Sequence, residues 1–204
     1  MEIKIEKGQF QLNGTDIVKA VVSPISFSKY ADLANGIAFT NETEYNKTMM
    51  RLRISSQVVF YGAGLEAFSV TDQEIIRMPR KLGVEISKAV GAIPAGADIP
   101  EVLNDGDGIE RPILFKLSSP IKWKTQDDSG EFSELEFHAK TFGDIESVVA
   151  APSSIMQALE LIKTCAIPVS DGIKLMALSS DLVDQVSYID GAFITNIILP
   201  NFLE

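Results

Sequence analysis

The same order of local signals occurs twice in this chain, once on each side of a stretch rich in Pro, Gly and Asp. That repetition restricts the fold more than any other feature. The divider runs from 92 to 112: Ala92-Ile93-Pro94-Ala95-Gly96-Ala97-Asp98-Ile99-Pro100, then Asn104-Asp105-Gly106-Asp107-Gly108 and Pro112. It has neither helical nor strand periodicity and is full of turn formers, so it reads as a linker. Before it, Gln9 to Leu12 and Ile17 to Val22 flank Asn13-Gly14-Thr15-Asp16, a hairpin with an Asn-Gly turn. After it, Ile113 to Leu117, Ile121 to Lys124 and Phe132 to Phe137 bracket Asp127-Asp128-Ser129-Gly130, a second hairpin.

A phrase of aromatic, small, Asp and aliphatic residues follows each hairpin: Tyr30-Ala31-Asp32-Leu33 and Phe142-Gly143-Asp144-Ile145. A helix candidate comes next, carried by Met49, Met50, Leu52, Ile54, Val58 and Phe60 in the first half. In the second it is carried by Ile155, Met156, Leu159, Ile162 and Cys165. Val70-Thr71-Asp72 and Val169-Ser170-Asp171 then each offer a helix cap. At the ends, Leu82, Ile86, Ser87 and Gly91 stand one hundred residues before Leu182, Val186, Ser187 and Gly191. An ancient duplication explains the recurrence; the alternative is two unrelated hairpin–helix units that converge on common turn chemistry. Pro79 departs from the pattern and predicts a helix that begins or restarts there. The expected fold is α+β: two tandem units at 1–91 and 113–204, each a hairpin or small antiparallel sheet packed with two or three helices, joined by the 92–112 linker.

Charge and composition narrow the function. Eighteen basic against twenty-eight acidic residues give a net charge of −10, which repels a phosphate backbone, and no Lys/Arg stripe offsets it. Nucleic acid is not an expected partner. The excess is uneven: residues 1–91 hold eleven basic and ten acidic side chains, residues 113–204 six and thirteen. No run of about 18 apolar residues suggests a membrane span, and the N-terminal Met1-Glu2-Ile3-Lys4-Ile5 reads as a first strand rather than a signal peptide. With Cys165 as the one cysteine, no intrachain disulfide is available, which fits a cytoplasmic setting.

No motif supports catalysis, a metal or a cofactor. His138 is the one histidine, with no partner at zinc spacing, and is expected to end its strand with a solvent-facing ring. There is no Gly-x-Ser-x-Gly elbow and no phosphate loop. Cys165 sits in the apolar stripe of a helix and reads as core. The chain is therefore expected not to be an enzyme and to bind no cofactor.

The second half, residues 113 to 193, resembles the phage tail assembly chaperones of the Mu-like and P2-like group. The resemblance lies in Leu117-Ser118-Ser119-Pro120-Ile121, Phe132 to Phe137, Thr141-Phe142-Gly143-Asp144-Ile145, the helix Met156 to Cys165 and the Leu-rich run Ile173 to Val186. It implies a non-catalytic factor of the infected cell's cytoplasm that binds the tape measure protein and recruits tail tube subunits. The other reading is a permanent structural subunit of a tail or baseplate. The residues expected to meet partners are Leu175, Met176, Leu178, Leu182 and Val186 on an apolar helix face, and Phe193, Ile197, Ile198 and Phe202 in the terminal run. That run is expected to dock into the protein's own fold or a second copy.

Overall fold

A computed structural model describes residues 1–38, 40–92, 96–104, 106–170, 173–175 and 178–203. The fold is α+β, and the chain divides into two compact units, Met1–Ile25 with Leu33–Pro94 and Ser26–Asp32 with Ala95–Glu204. The expected boundaries shift in two places. Most of the 92–112 stretch belongs to the second unit, where Glu101–Val102 forms a short strand, while Ile93, Pro94, Ala95 and Asp105 lie outside the described residues. Residues 26–32 also belong to the second unit although they follow the first hairpin.

In the first unit, strands β1 (Glu2–Lys4), β2 (Gln11–Leu12), β3 (Thr15–Val22), β4 (Val58–Gly62) and β5 (Ala67–Phe68) form an antiparallel sheet of order β1-β3-β4-β5, with β2 also on β3. The β2–β3 turn places Asn13 and Gly14 at φ 50° and 79°, the left-handed pair that a two-residue hairpin turn requires. Helix α1 (Phe27–Asn35) and α2 (Glu42–Gln57) separate β3 from β4, and α3 (Asp72–Arg77) and α4 (Arg80–Gly91) follow β5. Helix α2 ends three residues before the position of Phe60, so Val58 and Phe60 are strand, not helix. The run Val58-Val59-Phe60-Tyr61 is β-branched and aromatic, and its pairing with β3 outweighs the helical spacing. Pro79 is the N-cap of α4, as its missing N–H demands.

Thr71 and Glu74 close α3 with a capping box: the Thr71 N–H donates to Glu74 Oε2 (2.7 Å), and Thr71 Oγ1 accepts from the Glu74 N–H (3.4 Å). Thr71→Ala is expected to cost the first unit about 1 kcal/mol in denaturant unfolding. Inside the unit, buried Arg53 donates from Nη2 to the Val90 carbonyl (2.7 Å), so a guanidinium tethers α2 to the last turn of α4. Leu12, Ile17, Phe60, Leu82 and Ile86 make the core.

The second unit repeats the order. β6 (Glu101–Val102), β7 (Ile113–Lys124), β8 (Ser129–Phe137), β9 (Ala166–Ser170) and β10 (Ile173–Lys174) form an antiparallel sheet of order β10-β9-β8-β7-β6. Helices α5 (Phe142–Val149) and α6 (Ser154–Cys165) separate β8 from β9. After β10 come α7 (Ser180–Val183), α8 (Tyr188–Phe193), a π-helical turn Ile194–Ile198 and α9 (Leu199–Leu203). Ser170 pairs with Ile173 across the β9–β10 hairpin instead of capping a helix, and Asp171 lies outside the described residues. The run Ile173 to Val186 is likewise not one helix: it holds β10, a connecting segment and α7. Phe27, Phe115, Phe137, Leu161, Ile194 and Phe202 are fully buried in this unit's core.

Along the chain, both halves thus read hairpin, helix pair, strand pair and further helices, and in both the second helix runs directly into a strand. The matching residues differ from those the sequence suggests. Val58 and Ala166 open the strands after the helix pair, Thr71 and Ser179 are the next N-caps, and Arg80 and Tyr188 start the next helix, each pair 108 residues apart. Ser87 lies within α4 whereas Ser187 caps α8, so the spacing of one hundred does not mark equivalent positions. Upstream, Val22 faces Val58 as Phe137 faces Ala166, and buried Ile17, Ala20 and Val22 match buried Phe132, Leu135 and Phe137.

Candidate protein-binding surface

The terminal run is helical because nothing from Tyr188 to Leu199 breaks it, and Pro200 occupies the first turn of α9. Its apolar residues fall on more than one face. Ile194, Ile198, Leu199 and Phe202 are buried in the second unit, and Phe193 is half-buried with its ring 5.5 Å from Phe115. Ile197 and Leu203 stay exposed, at 44% and 39%. Burying that many apolar side chains fixes the segment to the unit, at about 25 cal/mol per Å² of apolar surface.

The segment borders an open cleft of about 420 Å³ whose floor is Val102, Ile113 and Ile198 and whose polar lining includes Asn104, Asp107 and Asn201. The loop before β7 is held tightly. Asn104 Nδ2 donates to the Pro112 carbonyl (2.9 Å) and its Oδ1 accepts from the Leu114 N–H (2.8 Å). Asp107 Oδ1 accepts from the N–H groups of Ile109, Glu110 and Arg111 at 2.8, 2.8 and 3.0 Å. The Arg111 and Ile109 bonds hold its carboxyl below the usual carboxylate range. Gly108, at φ 80°, lies against the Phe202 ring where any side chain would collide. The same loop exposes Ile109 at 43%. Asn104 and Asp107 are engaged in shaping the loop, while Val102, Ile113 and Ile198 give the cleft its apolar lining.

The structure separates the residues expected to meet partners. Val186, Ile198 and Phe202 are fully buried and unavailable to a partner, and Leu178 is nearly so. Leu175 and Leu182 are half-buried against the second core. Met176 lies outside the described residues. Among the described residues of that set, Ile197 is the exposed member. Sequence reasoning missed Phe142, 73% exposed at the start of α5, and Val149, 55% exposed at its end. Both lie in α5, and their spacing of seven puts them on one helical face, a pattern that ordinarily marks a core-facing stripe, so the sequence carries no signal of their exposure.

His138 follows β8 half-buried rather than solvent-facing, with Nε2 3.2 Å from the Ile109 carbonyl. Cys165 is buried, and burial pushes its thiol up from the ordinary value. Among the described residues, no cluster of three or more His, Cys, Asp or Glu could hold a metal, and no helix is long and apolar enough to cross a membrane. Comparison with family models, curated proteins and solved structures finds no match.

Proposed function

We propose that this chain is a non-catalytic phage tail assembly chaperone that binds the tape measure protein and recruits tail tube subunits in the infected cell's cytoplasm. The observation that carries the reading is the terminal segment, which exposes Ile197 and Leu203 and gives Ile198 and Asn201 to an apolar-floored cleft. An amphipathic helix of an elongated partner can place aliphatic anchors in such a groove, the recognition mode that needs apolar contact and no reactive group. The acidic excess of residues 113–204 favours a partner with basic residues flanking those anchors. The resemblance over residues 113–193 supplies the identity of the partners.

Ile197→Lys combined with Leu203→Lys tests this. Both side chains are largely outside the core, so the melting temperature should move by no more than a few degrees. Recovery of tape measure protein with the co-expressed, tagged variant is expected to fall about tenfold, since losing two anchors costs more than about 1.4 kcal/mol. Unchanged recovery would contradict the reading.

A further inference from the structure

We infer that copies of this chain associate head to tail, the Phe142 end of α5 on one copy seating at Gly83 of α4 on the next. The inference goes beyond the chaperone reading and does not depend on it. The second unit itself shows what such a seat looks like when filled. Ser26 caps α1, accepting from the Lys29 N–H (3.3 Å), and Phe27, the next residue, is 1% exposed. Its side chain lies against Gly191, where an added Cβ would collide with Phe27 Cγ and Cδ2. The Phe27 N–H donates to the Val186 carbonyl (2.8 Å), Ser26 bridges Ser187, and Tyr30 stands 4.6 Å from Tyr188.

The repeat supplies both halves of this contact a second time, unengaged. Counting from the matched strand ends Val22 and Phe137, Ser26 and Phe27 correspond to Thr141 and Phe142. Thr141 caps α5 as Ser26 caps α1, yet Phe142 is 73% exposed where Phe27 is buried. Counting from the matched helix starts Arg80 and Tyr188, the counterpart of Gly191 is Gly83. Around Gly83 the nearest atom to a Cβ is Met78 Sδ at 4.0 Å, so no ring fills the seat. Val84 beside it is 48% exposed, and Ile76 on α3 is 59% exposed. An aromatic plug without a socket and a socket without a plug, each the repeat of an engaged partner, fit one another.

Charge favours the same pairing. The α5 segment carries Asp144 and Glu146, and the ends of α3 and α4 nearest Gly83 carry Arg77, Arg80 and Lys81. Because plug and socket are different surfaces, the contact is heterologous and can repeat from copy to copy. A second copy is therefore the occupant, and the growing array would place like units in succession.

Sedimentation velocity on the full chain tests this. The wild-type protein is expected to form a concentration-dependent series that extends past the dimer and shortens as salt rises. Phe142→Asp and Gly83→Leu should each be monomeric at the concentration where wild type is associated. Gly83 has room for a side chain and lies inside a helix, so Gly83→Leu should fold with an unchanged or higher melting temperature. Mixed together, the two variants should form a one-to-one heterodimer and nothing larger, because each keeps the half that the other lost. A wild-type monomer throughout, association that survives Phe142→Asp, or a mixture that stays monomeric would each overturn the inference.

Discussion

Gly191→Val is expected to destabilise the second unit by about 3 kcal/mol, because the new side chain occupies the space of the Phe27 ring. Either the ring leaves, forfeiting the burial of a fully enclosed phenylalanine, or α8 shifts and strains the core around Ile194 and Val186. Trp123, the one tryptophan, packs against that core on β7, so its fluorescence reports unfolding of the second unit. The same substitution should change the first unit's transition far less, so far-UV circular dichroism, which sums both units, should keep an unshifted component beside the shifted Trp123 transition. Phe27→Ala alone should cost a similar amount, and the double variant little more than either single one, since both changes remove the same contact. Additive losses, or a Gly191→Val protein as stable as wild type, would show that Phe27 does not occupy that seat in solution.

Asp190 carries the second large effect. The β7–β8 register shifts between Lys116 and Ile121, where Pro120 supplies no N–H and Ser118 turns inward. Asp190, 1% exposed, answers this irregularity. Its Oδ1 accepts from the Ser118 N–H (2.7 Å), and its Oδ2 accepts from the hydroxyls of Ser118 (2.9 Å) and Ser187 (2.6 Å). Asp190→Ala leaves the Ser118 N–H buried without an acceptor and is expected to cost about 2 kcal/mol at neutral pH. Burial raises the carboxyl above its ordinary value, against the lowering effect of the Ser187 and Ser118 donors. The folded state therefore binds this proton more tightly than the unfolded chain. Its contribution is full below the unfolded pKa and is lost as pH rises through the folded value. Asp190→Asn should remove that fall from the stability–pH curve while keeping an acceptor for the Ser118 N–H. An unchanged curve would show that Asp190 does not titrate in its buried site.

Features set by local chemistry were legible in the sequence. Asn13-Gly14 specified a hairpin, Pro79 a helix start, Thr71 a cap, and the apolar spacing of Ile155 to Cys165 a helix. Features set by tertiary pairing were not. Helix α2 passes into β4 with no Gly or Pro between Gln57 and Val58, and only the neighbouring β3 decides where helix becomes strand. The terminal run was legible as apolar, but its sequence does not distinguish Ile197, which faces solvent, from Ile198, which faces the core. The π-helical turn shifts the faces presented there. The duplication was legible as an order of signals and misaligned in detail. The Tyr30 and Phe142 phrases share a composition, but the residues that match in structure are the capped pairs Ser26-Phe27 and Thr141-Phe142. That difference matters because it turns Phe142 from a member of a repeated phrase into the exposed counterpart of a buried plug.

Mass spectrometry of tail assembly intermediates and of purified finished particles from the same infection separates a chaperone from a structural subunit. A chaperone is expected in complexes with tape measure protein and absent from particles. Its recovery in finished particles, at a fixed ratio to the tube subunit, would contradict the chaperone reading and make it a structural subunit.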